Sequence, residues 1–407
     1  MRASLMLLWL GLALPAAAQP LDLLHWWTSG SEAQTLAEVR KTARAAGVDW
    51  RESPVAGAGN ANTLLKTRFL SGHPPALAQL DKAVWVWGEA VPLADLTAVA
   101  RAQRWGQVLP AAIYTELLYQ DKAVAVPINV HRLNSLWSNT ALLKRHGLAV
   151  PRTWPEFFAA AEALQAAGVI PLAIGGTVGQ QFSVFANVVL GQGGPDFFRQ
   201  ALVKGDAALL RGPQMLAMLR DFKRVKRYTD AGQVGRDWAV ATSLLIQGKA
   251  AMQFTGDWAN GEFLKAGWVA GRDYECTAAP GHGDLHYFEF DRILFFKPAS
   301  PAQARQQARL AEALLQPEAS TRFARSKGGI PVRVDADLAG FNACAQRSYA
   351  DFKRSSADGR LTLALGAQLP EATHGAYRDV VAAFWASERM TAEQAQARLV
   401  KASRVVD

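Results

Sequence analysis

The sequence predicts an α/β fold with enough chain for two domains. Its 407 residues are 50% hydrophobic and 19% charged, which is ordinary globular composition. Short apolar runs alternate with helix-length segments, as is typical of βαβ units. Internal repeats and Pro-rich linkers are absent from the sequence. We therefore expect any two domains to share several close crossings of the chain instead of one tether.

The first residues, "MRASLMLLWLGLALPAAAQP", have the three parts of a secretory signal peptide. Arg2 supplies a cation, residues 5–14 an apolar stretch too short to span a bilayer permanently, and residues 16–18 an A-x-A cleavage signal. We expect residues 1–19 to be removed. Because no cysteine follows directly, a lipid anchor is not expected, and the sequence predicts an exported, soluble protein of a Gram-negative periplasm.

The remaining elements follow from hydrophobic patterns and helix-end signals. Thr153 is a predicted N-cap with Pro155 in the first turn of the following helix, and Gly168 ends that helix. Residues 244–263 predict helix, turn, strand, turn, helix. Strands are predicted at residues 21–27, 76–80, 123–130, 170–176 and 250–258, and further helices at residues 31–46 and 141–146.

Two adjacent tryptophans, Trp26 and Trp27, occur in "LLHWWTSGSE" where the first predicted strand ends. Successive side chains of a strand point to opposite faces, so both indoles can approach one ligand only at a strand end. The pair therefore indicates either a core or a binding site. Ser29-x-x-Glu32 also matches a capping box for the helix that follows.

Charge and cysteine content restrict the class further. The formal net charge is +9, but lysine and arginine are scattered, so no nucleic-acid partner is expected. The chain has two cysteines, Cys276 and Cys344. An even number in an exported chain favours a disulfide, with two buried free thiols as the alternative.

Catalytic and cofactor motifs are missing. Neither G-x-S-x-G nor S-x-x-K occurs, and "GKA" at 248–250 is not a P-loop. In "VAGAGNAN", Asn62 replaces the third glycine of a dinucleotide fingerprint, which favours a polar loop entering a helix. His282 and His286 are spaced for a metal, but they flank glycines and have no third ligand nearby, so we expect no metal and no cofactor. Two distant carboxylates could still form a glycosidase site.

Seven motifs, in order along the chain, resemble one family: the periplasmic solute-binding proteins of ABC sugar importers, in particular their glucose/mannose-binding branch. The motifs are "HWWTSGSE", "SGHPPALAQLDKAVWVWGEAVPLADL", "AVPINVHRLNSLWSN", "TWPEFFAAAEAL", "GKAAMQFTGDW", "FEFDRILFFK" and "KGGIPVR". The resemblance implies a class II type fold in which two α/β lobes close on sugar held between them. It places one lobe at residues 20–130 plus 291–331 and the other at 131–290 plus 332–407.

A pyranose packs its C–H face on an indole and needs charged or amide partners for its hydroxyls. The resemblance implies sugar binding by Trp26, Trp27, Glu32, Lys82, Asp257, Trp258, Asp291, Lys327 and His374. Other interpretations stay open for several of them.

One indole could be a core residue, and Glu32 could serve its own helix start. Asp257 could cap the helix from Ala259 while Trp258 packs, and His374 could be an ordinary turn histidine.

Three departures from the family pattern bear on specificity. The stretch after Gln79 is one residue shorter, so either Asp81 or Lys82 could face the cleft. Glu289 stands where the family often has asparagine, and Arg292 where it often has serine. If Arg292 turned into the cleft, an acidic sugar would be favoured, because a guanidinium grips carboxylates at two points.

The sequence thus predicts a non-catalytic periplasmic binding component that holds a glucose- or mannose-like monosaccharide and delivers it to membrane permease subunits. The alternatives are a secreted carbohydrate-active enzyme and a binding protein for an acidic sugar. A monomer is expected, and a chemoreceptor is a possible second partner.

Overall fold

The computed structural model describes residues 20–80 and 84–405. The predicted signal peptide, residues 1–19, lies outside these ranges. The strands are β1 (Leu21–His25), β2 (Trp50–Pro54), β3 (Leu77–Leu80), β4 (Leu118–Tyr119), β5 (Lys122–Ala123), β6 (Ala125–Arg132), β7 (Ser135–Asn139), β8 (Ile170–Ala173), β9 (Ala250–Phe254), β10 (Tyr274–Ala278), β11 (Tyr287–Phe295) and β12 (Thr362–Leu363).

Helices fill most of the remaining chain. The first ten are α1 (Gly30–Ala45), α2 (Ala58–Leu70), α3 (Val84–Gly88), α4 (Thr97–Ala102), α5 (Trp105–Val108), α6 (Ala111–Tyr114), α7 (Thr140–Arg145), α8 (Trp154–Ala166), α9 (Val178–Phe198) and α10 (Ala207–Arg211). The others are α11 (Pro213–Lys226), α12 (Trp238–Ile246), α13 (Ala259–Lys265), α14 (Pro301–Leu314), α15 (Pro317–Lys327), α16 (Ala343–Ala357), α17 (Leu365–Gln368), α18 (Glu371–Ala386) and α19 (Ala392–Ala402). The predicted α/β class is confirmed.

The predicted helix ends are also confirmed. Ser29 and Glu32 form a reciprocal capping box at the start of α1, and Thr153 with Glu156 does the same for α8, which has Pro155 in its first turn. Gly168 follows α8 with a φ of 76°, a left-handed conformation that favours glycine.

The first sheet surrounds β1 and β11. β1 pairs in parallel with β2 and β3, and β11 runs antiparallel to β3 on one side and to β6 on the other. The short β12 pairs with the beginning of β11. The register between β11 and β6 shifts at Asp291/Arg292. Such a bulge re-aims the side chains beside it, and Asp291 is one of them.

The second sheet has the order β10-β7-β9-β8. β6 ends in the first sheet at Arg132 and β7 begins in the second at Ser135, so only two residues separate the sheets at this crossing. The chain returns to the first sheet at β11. Residues of β6 and β11 at these crossings are therefore close to both sheets.

Each sheet has its own hydrophobic core, which is what two lobes require. The first core combines β1, β3, β6 and β11 with helices that include α14 and α15, and the second combines β7 to β9 with α8, α9, α11, α18 and α19. The lobe boundaries given above stay a prediction. Helix α16 bears on them, because Ala345, Tyr349 and Phe352 pack into the first core although the second lobe was predicted to contain them.

Cys276 and Cys344 form a disulfide, as predicted. It joins β10 of the second sheet to the first turn of α16. Among the residues that the structure describes, no helix combines the length and the apolar character needed to cross a membrane.

Candidate functional site

Six polar residues, five of them buried and Asp291 half-buried, lie where the two lobes meet, and we call them the interlobe polar cluster. They come from α1, β3, β6, the turn after β9, β11 and the end of α15: Glu32, Gln79, His131, Asp257, Asp291 and Lys327. Four of these residues were predicted from sequence, and Gln79 and His131 were not. Ligands of α/β folds bind outside the carboxyl ends of strands, which is where β3, β6 and β9 end.

Glu32 has two structural partners. Its Oε2 accepts hydrogen bonds from the backbone N–H groups of Thr28 and Ser29, both at 3.0 Å, and its Oε1 lies 2.7 Å from Nζ of Lys327. The capping box and the cleft position of Glu32 were considered as alternatives, but one carboxylate occupies both. The ion pair is buried, with Lys327 only 3% exposed.

Asp291 is held by a glutamine. Gln79 donates from Nε2 to Oδ1 of Asp291 at 2.9 Å, and its Oε1 accepts from the backbone N–H of Trp26 at 3.1 Å. The amide of Gln79 thus couples the orientation of the Asp291 carboxylate to the backbone at Trp26.

His131 joins the two aspartates. Its Nδ1 lies 2.5 Å from Oδ1 of Asp257, and its Nε2 lies 3.0 Å from Oδ2 of Asp291. The other oxygen of Asp257 accepts from the backbone N–H of Arg132 at 2.9 Å. Both aspartates therefore have fixed orientations before any ligand is considered.

The charges of the cluster stabilise one another. Burial lowers the pKa of His131, but the charges and hydrogen bonds of Asp257 and Asp291 outweigh it and raise the pKa to about 9. Burial likewise lowers the pKa of Lys327, and the carboxylates of Glu32 and Asp291 reverse this and raise it. Burial raises the pKa of Asp291, whereas its bond to His131 brings it below the ordinary value. At neutral pH three carboxylates face two cations.

The two adjacent tryptophans differ in exposure. Trp27 is 2% exposed and packs in the first core against Phe323, with ring centroids 5.4 Å apart. Trp26 is half-buried beside the same core. In this structure Trp27 has no face for a sugar, which matches the interpretation of one indole as a core residue. Trp26 is the indole of the pair that a ligand can reach.

A second aromatic surface surrounds His131. The half-buried indole of Trp258 meets the His131 ring edge-on at 5.3 Å, and Trp238 on α12 lies 6.2 Å from Trp258. The indole of Trp258 lies across Gly256, where a Cβ would come within 2.3 Å of the ring. In the described part of the chain, Nε1 of Trp258 is buried without a hydrogen-bond partner. Sequence reasoning missed Trp238, which follows an Asp cap but carries no motif.

Two other predicted site residues are His374 and Lys82. His374 lies in the first turns of α18, half-buried, and its ring packs edge-on against Phe182 at 5.2 Å. Lys82 and Asp81 lie outside the described residues. Sugar binding by His374 and Lys82 stays a prediction.

Arg292 points away from the cluster. Its guanidinium stacks over Phe290 at 4.2 Å and donates to the carbonyl of Glu116 at 3.0 Å. It is 1% exposed. The acidic-sugar alternative needed this side chain in the cleft, and the structure places it among core residues instead.

The histidines of "HGDLH" have protein partners. Nε2 of His282 lies 2.9 Å from the carbonyl of Asn187, and Nε2 of His286 lies 3.1 Å from Oγ of Ser348. Within residues 20–80 and 84–405, no group of three or more His, Cys, Asp or Glu residues is arranged to hold a metal ion.

The lobes also touch each other outside the cluster. Oε1 of Glu262 on α13 accepts from the backbone N–H of Ser31 at 3.1 Å and from its hydroxyl at 2.8 Å. Lys66 on α2 and Glu371 on α18 form a more exposed ion pair at 3.4 Å. The structure therefore shows the two lobes in contact across the cleft.

The chain has two α/β lobes, several crossings between them and a polar cluster where the lobes meet. This architecture is that of a ligand-binding protein whose site lies in the cleft. The chain belongs to the bacterial extracellular solute-binding protein family, whose model matches residues 28–284. Members of this family are solute-binding proteins, so the prediction that the chain is not an enzyme is confirmed.

Relatives and solved structures agree with this assignment. The chain is 36% identical to a probable sugar-binding periplasmic protein of Mesorhizobium japonicum, over 95% of this chain and 94% of the relative. A protein of the same description from Rhizobium meliloti is 35% identical, with the same coverage of both chains. A chitin oligosaccharide binding protein superimposes with a TM-score of 0.79 at 18% identity, over 94% of this chain and 98% of that one. The predicted two-lobed fold is confirmed.

Proposed function

We propose that the chain is the periplasmic sugar-binding component of an ABC importer and that it delivers a neutral, glucose- or mannose-like monosaccharide to the membrane permease. The observation that carries this proposal is the interlobe polar cluster, in which oriented carboxylates and a buried ammonium group lie beside half-buried indoles. Sugar hydroxyls both donate and accept hydrogen bonds, so charged acceptors and donors fixed at one place suit them. Indole faces suit the C–H surface of the ring.

Electrostatics favour a neutral ligand. The cluster has one more carboxylate than cation, and Arg292, the residue that could have balanced an acidic sugar, is stacked on Phe290. An anionic ligand beside the cluster would be repelled by its excess negative charge, and this repulsion is strong where the dielectric constant is low. A neutral sugar meets no such repulsion.

Ligand size is inferred from the lobe contacts. Ser31 meets Glu262, and Lys66 meets Glu371, so direct bonds between the lobes close the cleft at two places. These contacts support a monosaccharide, because a long oligosaccharide would need a cleft with an open end. The relative that binds chitin oligosaccharide shares only the fold at 18% identity.

The mechanism follows from the position of the cluster between the lobes. Contacts that need both lobes exist only when the cleft is shut, so sugar shifts the population toward the closed form, which the permease can distinguish from the open one. Among the sequence-predicted residues, we propose Trp26, Trp258, Asp257, Asp291, Glu32, Lys327, Lys82 and His374 as the sugar contacts.

A thermal-shift and calorimetry panel tests the proposal. It should contain glucose, mannose, galactose, xylose, glucuronate, maltose and chitobiose. Ligand at about 100 times Kd stabilises the folded form by about 2.7 kcal/mol. An unfolding entropy of about 0.8 kcal/mol/K for a chain of this size converts this to a shift of about 3 °C. We expect this shift with a neutral hexose and none with glucuronate.

The matched variants are Trp258→Ala and Trp50→Ala. Both tryptophans are half-buried, but Trp50 lies on β2 at the edge of the first sheet and bonds to Glu52. We expect at least about tenfold weaker sugar binding only for Trp258→Ala. Binding of oligosaccharides alone, or of glucuronate in preference to hexoses, would contradict the proposed ligand class.

A further inference from the structure

His131 occupies a special place in the fold. It lies one residue before the end of β6, where the chain leaves the first sheet for the second. Asp291 reaches it from β11 of the first sheet, and Asp257 reaches it from the turn after β9 of the second. His131 is 2% exposed. It lies within one of the family motifs but was not predicted to be a site residue.

The two carboxylates favour a ring in which both nitrogens donate. Nδ1 and Nε2 each face a carboxylate oxygen, at 2.5 and 3.0 Å. A neutral imidazole has one N–H, so its other nitrogen would direct a lone pair at a buried carboxylate. Nδ2 of Asn129 lies 2.9 Å from Nε2, and a flip of this amide would turn its oxygen, which is buried without a partner among the described residues, toward a donating ring.

Among the described residues around the ring, no other cation lies between the two aspartates to replace the imidazolium. Among the described elements packed around it, β11 contributes Asp291, the turn after β9 contributes Asp257, and α15 ends with Lys327, whose Nζ is bonded to Glu32. The guanidinium of Arg132 bonds to Asp351 on α16 instead. The rings of Trp258 and His131 also pack edge-on, with their centroids 5.3 Å apart.

We propose that His131 is a positioning residue of the sugar site, whose imidazolium ties an aspartate of each lobe to the crossing strand and so stabilises the closed cleft. The inference rests on the proposed function, because it assigns the closing contact to the same site. When the lobes separate, at least one of the two aspartates must leave the ring. Closure and protonation of His131 are therefore linked.

The sign of this linkage follows from the closed state. Contacts with two carboxylates raise the pKa of the ring to about 9 in the closed form, and an open cleft removes part of that effect. The imidazolium therefore makes its full contribution to the free energy of closure below the ordinary histidine pKa of 6.5. This contribution is lost as the pH rises through about 9. Lys327 keeps its charge over this range, because its pKa is raised above 10.5. A neutral sugar adds no titration of its own.

The test compares wild type with His131→Gln and a control. The glutamine keeps a donor but cannot carry a charge, and we expect its Kd for the hexose to be at least about tenfold higher at pH 7. The wild-type Kd should rise at least about tenfold between pH 7 and pH 9, whereas that of His131→Gln should stay flat. His282→Gln is the matched control, since His282 is equally buried but bonds to amides. It should keep the wild-type Kd and pH profile even if its Tm falls.

A second measurement does not depend on sugar. In protein labelled with ¹⁵N-histidine, the NMR signals of His131 are identified as those that disappear in His131→Gln. In wild type at pH 7.5 these signals should show two N–H groups on the ring. A single N–H there, or equal Kd values and pH profiles for wild type and His131→Gln, would overturn the inference. If no sugar binds to wild type, the proposed function fails, and the NMR result still decides whether the imidazolium exists.

Discussion

Removing the disulfide should destabilise the protein by an amount that can be worked out from its loop. Cys276 and Cys344 are separated by 68 positions, and their Cα atoms are 5.8 Å apart. In the chain-entropy model, a loop of this length removes about 15 cal/mol/K from the unfolded state, or about 4 kcal/mol at 25 °C. With an unfolding entropy of about 0.8 kcal/mol/K, Tm should fall by about 5 °C in Cys276→Ala/Cys344→Ala.

The folded state should survive this change. Asn342 still attaches the start of α16 to the second lobe, since its Nδ2 lies 2.8 Å from Oδ1 of Asn260 and 3.1 Å from the hydroxyl of Tyr274. Differential scanning calorimetry of the double variant and of wild type with and without a reductant is the assay. A loss below about 1 kcal/mol in both comparisons would refute the loop argument.

Three further predictions follow from the site and its buried charges. Gly256→Ala should weaken hexose binding in calorimetry at least about fivefold, because the new Cβ would lie 2.3 Å from the Trp258 ring and displace it, whereas Gly59→Ala, with open space around it, should change nothing. Lys327→Met should lower the free energy of unfolding in urea by about 3–5 kcal/mol, because it leaves the buried carboxylate of its glutamate partner without a cation; a loss under 1 kcal/mol would contradict a buried ion pair. The free energy of unfolding should be largest near pH 6.5. Burial lowers the pKa of His282 to about 4, so its contribution is complete above 6.5 and is lost on acidification, while the raised pKa of His131 makes its contribution complete below 6.5 and lost toward pH 9. A stability that keeps rising from pH 6.5 to 9 would be the wrong result.

Local features of the fold were predictable from the sequence. Strands such as β8 and β9 and the start of α8 depend on residues within one short window, where apolar runs, Thr153 and Pro155 act directly on the backbone. The disulfide needed only the count of cysteines and the predicted signal peptide. The family motifs then ordered these elements along the chain.

Whether each of the two adjacent tryptophans is buried in the core or exposed to the cleft could not be predicted in this way. Whether Trp27 is core or site depends on Phe323, which lies on α15 almost three hundred positions later and covers the indole. Trp26 and Trp27 have the same local sequence environment, so no window around them separates the two. Only the packing of Phe323 of α15 against Trp27 decides it.

The role of His131 was missed for a related reason. Its partners Asp257 and Asp291 are 126 and 160 positions away, and each was noticed separately as a candidate sugar contact. Nothing in "AVPINVHR" distinguishes this histidine from an ordinary strand residue. Its meaning arises only where β6, β9 and β11 converge.

The cluster also changes how the predicted carboxylates can meet a sugar. Each oxygen of Glu32, Asp257 and Asp291 already has a protein partner: backbone N–H groups, Lys327, His131 or Gln79. A carboxylate oxygen has two lone pairs, so each oxygen with one protein partner can still accept a sugar hydroxyl without giving up the bond that orients it, whereas Oε2 of Glu32 already accepts two hydrogen bonds. The protein partners hold the acceptor oxygens in place before the sugar enters. Binding therefore does not have to include the free-energy cost of ordering these side chains. For the same reason, Gln79→Ala should weaken sugar binding through Asp291 although Gln79 itself need not touch the ligand. Gln103→Ala is the matched control, because Gln103 is a half-buried glutamine that donates to the carbonyl of Glu312 and accepts from the indole of Trp105. Calorimetry would show equal Kd values for Gln79→Ala and wild type if the orientation of Asp291 were unimportant.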